Sequence, residues 1–465
     1  MASDGKPARV ISLASHRAYG PDMAGLACQR IAAARQRAGL TRAEFADALQ
    51  SLLRWTPPVT TELVKMWETI APPPGQVIVA CEIVVACGGG ASAEPTPAAA
   101  PAHDLLLKST FDRDDLDRLS VAFDDALACA EADDIRRLAH VWLIADAPQS
   151  IELRAGRRIS DQLIAAAEHR VVQLRRADDF VPGRDSHALV QRELGATVRL
   201  LREASLTEPQ ARRLLGAVGE LSQLAAWVAA DAGSGTEAAR YVRGGVLAAR
   251  AAGDAPLAAN IISTLSYQMA NTGDPREAAI LARTAYAGAR HHGTPAVKAL
   301  LLERVAWADA KSGDLRSCER SLGLVDDEFA RAPSPGDPDW VYWLNREEVD
   351  VMAGRCFTEL HRPERAEPLL RQAIERYDGS LIRENSLYLS WLAEDYIQLN
   401  EIAHAAGIAK RVARLANQAN SARTDARLRH LADLLRPHKA VPEAADFLDL
   451  YNALAAGNAP LHDDG

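Results

Sequence analysis

Residues that favour a turn recur at nearly constant spacing through the second half of the chain. Each lies between two stretches rich in alanine and leucine, and each is glycine, histidine or asparagine. Glycine and asparagine commonly end a helix in the left-handed conformation. A turn at this spacing between helix-forming stretches predicts a repeated helical hairpin. The positions are Gly233, Gly273, Gly313, His361 and Asn400, at intervals of 40, 40, 48 and 39 residues.

Two further columns of this alignment hold only small residues. One column lies seven residues before the turn, and the other lies five residues after it. Two helices approach closely only where the side chains between them are small. The first column is Ala226, Ser266, Ala306, Gly354 and Ala393, and the second is Ala238, Ala278, Cys318, Ala366 and Ala405. We therefore predict an all-α fold in which helical hairpins stack into a solenoid.

Composition along the chain predicts two helical parts. Residues 1–23 and 457–465 have no periodicity and are predicted to be flexible tails. A compact helical unit is expected over residues 24–87. The segment GGGASAEPTPAAAPAHD, residues 88–104, has too little apolar content to pack and is predicted to be a flexible linker. Helical repeats then extend over residues 105–456, without an alternating strand pattern.

The charge of the chain is uneven. The 465 residues include 53 basic and 62 acidic side chains, and the formal net charge is -9. Residues 1–75 alone hold nine Lys and Arg against six Asp and Glu, a local balance of +3 that leaves -12 for residues 76–465. Because salt screens exposed charges beyond about 10 Å, a local basic patch can persist on an acidic protein. The net charge does not exclude DNA binding.

Cysteine usage and hydropathy predict a cytoplasmic protein that does not enter a membrane. The six cysteines are scattered, without CxxC pairs, and are typical of buried residues in a reducing compartment. The N-terminus has no apolar signal region, and no window of 18 residues is continuously apolar.

A well-marked helix start lies near the N-terminus. Thr41 and Glu44 have the spacing of a capping box, and Leu40 and Phe45 have that of a hydrophobic staple. A second helix start is predicted at Thr60 after RWTPPV, with Val59 and Val64 at the staple positions. Leu63 and Trp67 should then face inward.

The stretch RIAAARQRAGLTRAEFADAL with the later KMWE resembles the Xre-type (lambda-repressor-like) helix-turn-helix. It is most similar to the variant in actinobacterial regulators, which has an LLxW extension before the recognition helix and a PPG turn after it. The resemblance implies that Arg42 holds a phosphate of double-stranded DNA. It also places Thr60, Thr61 and Lys65 in the major groove, with Glu62 on the same reading face.

Two positions depart from that family. Met66 precedes the tryptophan where arginine is usual, and Glu62 adds a negative charge to the reading face, although glutamate can accept a hydrogen bond from cytosine. The alternative interpretation is a helix pair retained for dimerisation or for protein docking.

The turn and the small-residue columns resemble the tetratricopeptide repeat over residues 208–420. Such arrays present a concave surface that is lined by the first helix of each hairpin. Polar and aromatic residues at helical spacing there suit a peptide or a carboxylate-bearing ligand, and an ordinary solvated helix face is the alternative. The predicted effector groove comprises Asn260, Thr264, Tyr267, Arg304 and Trp307, and Asn271 and Lys311 share its two stripes.

No stretch has the spacing of a catalytic, cofactor or metal site, so we expect no enzyme activity, no cofactor and no bound metal. The main hypothesis is a homodimeric DNA-binding transcriptional regulator whose repeats bind an effector: a peptide, a small molecule or a protein. The alternative is a tetratricopeptide-type protein-interaction scaffold with a vestigial helix-turn-helix. An enzyme with an unrecognised site is the third reading.

Overall fold

The structure is a computed structural model, and it divides into two compact units, Met1–Ala100 and Pro101–Gly465. The boundary between the units lies within the predicted linker. The predicted tails, the PPG turn and the linker up to Pro101 lie outside the described residues. The structure describes residues 31–36, 38–53, 58–69, 77, 102–124, 132–154, 156–180, 183–376, 381–419 and 421–456.

The first unit contains the predicted helix pair. Residues 31–36 are helical (α1), and they are followed by α2 (Arg42–Leu53) and α3 (Thr61–Thr69). The capping box is confirmed, since the Thr41 backbone N–H donates to Glu44 at 2.8 Å and the Glu44 N–H donates to the Thr41 hydroxyl at 3.3 Å. The buried core comprises Ile31, Ala34, Ala38, Phe45, Ala46, Leu49, Val59, Val64, Trp67 and Val77, with Leu40 and Leu63 packed against it.

The second unit opens with irregular elements. A 3-10 helix begins at Ala102, inside the last three residues of the predicted linker. Two parallel bridges of two residues each, β1 with β2 and β3 with β4, are too short to produce an alternating sequence pattern. The elements are the 3-10 helix Ala102–Leu107, β1 (Thr110–Phe111), α4 (Arg113–Asp124), α5 (Ala132–Ile144), β2 (Ser150–Ile151), β3 (Arg157–Arg158), α6 (Asp161–Ala177), α7 (Gly183–Glu203) and β4 (Ala204–Ser205).

Helical hairpins fill the rest of this unit and confirm the all-α prediction. A 3-10 turn, Asp339–Val341, lies in the longest connection, and another, Arg436–His438, lies between the last two helices. The helices are α8 (Glu208–Asp231), α9 (Gly235–Ala252), α10 (Ala255–Thr272), α11 (Pro275–Ala289), α12 (Pro295–Lys311), α13 (Leu315–Phe329), α14 (Arg346–Glu359), α15 (Pro363–Arg376), α16 (Ile382–Gln398), α17 (Ile402–Ala419), α18 (Ala422–Leu435) and α19 (Pro442–Ala455).

Four of the five predicted turn residues are left-handed. Gly233, Gly313, His361 and Asn400 have φ values of 87°, 75°, 53° and 61°. Gly273 differs, with φ -125° and ψ -142°, so this hairpin turns without the left-handed cap.

Both small-residue columns lie where the helices of each hairpin cross. All ten residues are buried. The Ser266 hydroxyl donates to the Ala278 carbonyl at 2.8 Å, which links the two columns directly. A Cβ on Gly354 would lie 2.7 Å from Cγ of Leu370, so this crossing requires glycine. The columns therefore mark close helix packing, as predicted.

Helices before the repeats pack against the second helix of early hairpins. The ring of Phe123, from α4, leaves no space for a Cβ on Gly244 of α9. The indole of Trp142, from α5, likewise leaves no space for a Cβ on Gly288 of α11. Among the described residues, no helix combines the length and the apolar character needed to cross a membrane.

Candidate ligand cavity and nucleic-acid interface

A cavity of about 1190 Å³ lies within the second unit. The first helices of the hairpins line it, together with the end of α6 and the segment from Trp340 to Asn345. Of the predicted groove residues, Asn260, Thr264, Tyr267 and Arg304 line this cavity, as do Asn271 and Lys311. Trp307 is different, because it is fully buried and lies outside the lining. The predicted contact between Trp307 and an effector therefore has no support in the geometry.

Trp307 instead belongs to a row of aromatic rings at the cavity wall, in which the other three rings line the cavity and Trp307 does not. Trp227 stacks on Tyr267 with ring centroids 5.8 Å apart, and Tyr267 lies 6.5 Å from Trp307. Trp391 meets Trp307 edge to face at 5.5 Å. We call these four rings the aromatic row. Three of them, Trp227, Tyr267 and Trp307, stand six residues before successive turns, so the repeat itself brings them together.

Guanidinium groups cover the aromatic row. Such cation–π contacts are worth about 2 kcal/mol or more when they are desolvated. Arg423 lies 4.5 Å from the Trp227 centroid, Arg304 lies 4.7 Å from Tyr267, Arg355 lies 4.6 Å from Trp307 and Arg427 lies 3.6 Å from Trp391.

A buried ionic cluster joins the start of the array to its end at this cavity. Asp231, at the end of α8, lies 2.7 Å from Arg423 and 3.5 Å from Arg383. Arg383 also lies 3.4 Å from Asp178, and the Ser421 hydroxyl donates to Asp231 at 2.6 Å. Burial acts to raise the pKa of Asp231, but Arg423 and Arg383 lower it overall. We call these residues the Asp231 cluster.

Most cationic side chains of the lining already have a carboxylate partner. Arg175 pairs with Glu220, Arg427 with Glu394, Lys311 with Glu359, and Arg383 and Arg423 with the Asp231 cluster. Arg304 and Arg355, which are both buried, form no ion pair with any residue that the structure describes. Arg355 donates to the Tyr267 hydroxyl at 2.7 Å, whereas Arg304 makes no hydrogen bond within the described residues.

Two titratable groups beside these arginines have displaced pKa values. Burial raises the pKa of Glu303 to about 8, and its Oε1 has no hydrogen-bond partner in the described part of the chain. Burial acts to raise the pKa of Tyr267 as well, but Arg355, Arg423 and Arg304 lower it to about 8. Glu303 is therefore mainly protonated near neutral pH and can donate a hydrogen bond into the cavity.

In the first unit, the predicted reading face is exposed. Thr61, Glu62 and Lys65 are accessible on α3. Thr60 is exposed as well, and its hydroxyl accepts the Leu63 N–H at 3.3 Å, so it caps the helix. The four residues thus lie together at the start of α3, opposite its buried Val64 and Trp67.

Arg42 has a partner that the sequence did not indicate. Its Nε lies 2.5 Å from Glu68, and the Nε of Arg35 lies 2.6 Å from the same carboxylate. The Glu68 side chain is 2% exposed, and Arg42 retains 41% exposure. Burial acts to raise the pKa of Glu68, but the two arginines lower it. Arg42 thus ties α2 to α3, and only part of its guanidinium can reach a phosphate.

Sequence reasoning missed Glu68 and much of the cavity. Trp227 and Arg355 each lie six residues before a predicted turn. A third aligned column at this position would have indicated both residues. Arg423 and Arg427 lie on α18, outside the aligned hairpins. Their i,i+4 spacing was the only sequence signal that could have indicated them. In the described part of the chain, no three His, Cys, Asp or Glu side chains are grouped to hold a metal ion.

No protein-family model matches the sequence, and no curated protein matches it. Among solved structures, the chain is similar to a protein described as a circular tandem repeat protein with novel repeat topology and enhanced subunit contact surfaces. The two are 15% identical, the alignment covers 93% of this chain and 87% of the other, and the TM-score is 0.16.

Proposed function

We propose that this protein is a cytoplasmic transcriptional regulator that binds double-stranded DNA through α3 and binds an effector in the cavity of its repeat unit. The observation that carries the DNA-binding part is the exposed cluster at the start of α3. Thr60, Thr61, Glu62 and Lys65 lie there on a helix whose other face is buried against α2. A capped helix with its polar N-terminal residues exposed is the element that helix-turn-helix proteins insert into the major groove.

The charge of the first 75 residues supports this proposal, since their balance of +3 contrasts with the acidic remainder. The negative charge of Glu62 and the engagement of Arg42 by Glu68 limit the number of phosphate contacts. We therefore expect moderate affinity and a shallow dependence on salt, because each neutralised phosphate contributes a slope of about -0.9 to log K against log salt.

The test is a DNA titration of the full chain against fragmented genomic DNA from its source organism, followed by binding to a recovered fragment. Lys65→Ala should weaken binding, since it removes the positive charge that α3 would bring to the major groove. Glu62→Gln should change which sequences bind. Lys410→Ala, in α17 of the other unit, is the matched control.

Undiminished binding by Lys65→Ala, or the absence of any recovered fragment, would contradict the proposal. The latter result would favour the second candidate, a protein-interaction scaffold. That candidate is supported by the same pairing of Arg42 with Glu68, which makes the helix pair rigid without requiring DNA.

The regulator is further proposed to be a homodimer held by its repeat unit. One helix pair reads one half-site, and paired half-sites lie about 34 Å apart. Sedimentation equilibrium at micromolar concentration should give twice the chain mass of 50.1 kDa. A monomer, both alone and on DNA, would exclude this arrangement.

A further inference from the structure

We propose that the ligand of the cavity is an organic monocarboxylate, held through its carboxylate by Arg304 and Arg355 and through an apolar body by the rest of the lining. This inference rests on the proposed function of the cavity as an effector site. It names the chemical class of the effector and the two side chains that select it.

Arg304 and Arg355 are buried without an ion pair among the described residues. A buried guanidinium without a hydrogen-bonded anion is unfavourable, since desolvation of a charge is costly unless it is compensated. Every other buried Arg of the lining has a carboxylate within 3.5 Å. Arg304 and Arg355 contact only aromatic rings and one phenol hydroxyl among the described residues, and the nearby carboxyls of Glu303 and Glu348 act on Arg304 without forming an ion pair. The two arginines are therefore left without the paired carboxylate that a ligand can supply.

Both arginines lie against the ring of Tyr267. The Arg304 guanidinium carbon lies 4.7 Å from the Tyr267 centroid, and that of Arg355 lies 5.5 Å from it. Planar guanidinium forks match the geometry of a carboxylate, and two of them can share its oxygens. Glu303, adjacent to Arg304, offers an unpartnered Oε1 that is buried at the same wall. In its protonated form it adds a hydrogen-bond donor to the site.

The charges of the lining disfavour polyanions. Nine acidic side chains line the cavity against eight lysines and arginines, and Glu348 contributes to the field at Arg304. A ligand with several phosphates would meet these carboxylates, and every lysine or arginine of the lining other than Arg304, Arg355 and the exposed Arg376 is already paired. A single carboxylate, shared by Arg304 and Arg355, adds the least negative charge to this lining.

Apolar side chains of the lining can accommodate the body of the ligand. Leu224, Met352, Leu387, Trp340 and Trp343 line the same cavity, and Trp343 lies 5.8 Å from Arg304. Ligand sites combine such apolar walls with a few polar groups that fix orientation. The volume of about 1190 Å³ exceeds what a carboxylate alone requires. An apolar group attached to the carboxylate would occupy part of the remaining space.

The experiment is calorimetric titration of the full-length protein near neutral pH with matched probes. The carboxylates are phenylacetate, indole-3-acetate and octanoate, and the neutral controls are the corresponding amides. Inorganic phosphate is tested alone and as a competitor. We expect at least one carboxylate to bind about tenfold or more tightly than its amide, because hydrogen bonds between charged groups are the stronger ones. Phosphate should neither bind comparably nor compete.

Variants assign the effect to the two arginines. Arg304→Gln and Arg355→Gln should each reduce carboxylate affinity about tenfold or more without affecting amide binding. Arg304→Lys, which keeps the charge but loses the fork, should give an intermediate value. Arg371→Gln, at an exposed arginine of α15, is the matched control and should bind as the parent does. Arg304 makes no hydrogen bond within the described residues, so its variants remain informative if Arg355→Gln fails to fold.

Three results would overturn the proposal: no carboxylate binds at about 10 mM, carboxylates bind no better than amides, or carboxylate binding persists in both Gln variants. These outcomes are separable from failure of the proposed function. Titration of the cavity requires no DNA, so carboxylate binding without DNA binding would contradict only the regulator. DNA binding without carboxylate binding would contradict only the ligand class.

Discussion

The Oδ1 of Asp231 lies 2.7 Å from the Nε of Arg423, an ion pair between residues 192 positions apart in the chain. It joins the end of α8, the first helix of the first aligned hairpin, to the start of α18, after the last of them. The Asp231 side chain is 1% exposed and Arg423 is 25% exposed. The solenoid is therefore held at this cavity by a buried charge and not by apolar contact alone.

Loss of the Asp231 charge should destabilise the second unit. Asp231→Asn leaves Arg383 and Arg423 without their shared carboxylate, and breaking a buried ion pair costs about 3 to 5 kcal/mol. We expect the free energy of unfolding in urea to fall by about 3 kcal/mol. Glu375→Gln, which removes an exposed partner of Arg371, should change it by about 0.5 kcal/mol or less. A loss below about 1 kcal/mol in Asp231→Asn would contradict the role given to the cluster.

Helix crossing in the fourth hairpin should be sensitive to a single methyl group. Gly354→Ala places a Cβ 2.7 Å from Cγ of Leu370, and overpacking costs about 1 to 3 kcal/mol. The gain in helix propensity, about 1 kcal/mol, offsets part of that loss. In contrast, Gly216→Ala in α8 meets no atom within 4 Å and should stabilise by up to about 1 kcal/mol. Thermal unfolding of the two variants should shift in opposite directions.

Carboxylate affinity should fall as the pH rises through about 8. A bound anion favours protonated Glu303 and neutral Tyr267, and both pKa values are about 8. Above that pH each group becomes negative and repels the ligand, which is itself ionised throughout. Besides burial, the charges that influence the pKa of Glu303 are those of Arg304, Glu348, Arg355 and Arg346. Those that influence the pKa of Tyr267 are Arg355, Arg423 and Arg304.

The measurement is calorimetric affinity from about pH 6 to pH 9.5, a range that spans both pKa values. Glu303→Gln keeps a donor but cannot ionise, so it should flatten part of the profile. Tyr267→Phe should remove the remaining dependence when the two changes are combined. A profile that stays steep in the double variant would assign the titration to other groups.

Arg42 and Lys65 should differ in what they contribute to the first unit. Arg42→Gln removes an ion pair to buried Glu68, so it should speed hydrogen exchange in α3 as well as weaken DNA binding. Lys65→Ala, on the exposed face, should weaken DNA binding without changing exchange. Exchange measured on the full chain distinguishes these results, and equal protection in both variants would show that the Glu68 pair adds no stability.

Local rules of the chain were sufficient to predict the hairpins of residues 208–420, the left-handed conformation at four of their five turns, and their crossing points. Some constraints act within a single hairpin, such as the left-handed φ at Gly313 or Asn400 and the absence of a side chain at Gly354. Such constraints therefore restrict the residue type at a fixed spacing in the sequence. The capping box of Thr41 and Glu44 is local in the same sense. The exposure of Thr61 and Lys65 followed from the helical period.

Which polar side chains meet depends on the packing of the whole array. Asp231 and Arg423 are paired across 192 residues, and no periodic pattern specifies such a partner. Trp307 shares the helical stripe of a groove residue, yet the neighbouring hairpins cover it completely. The repeat and its hairpins can be predicted from the sequence alone, because they depend on backbone conformation and side-chain size. The cavity and its unpaired arginines depend on how successive hairpins are stacked, which only the folded array determines.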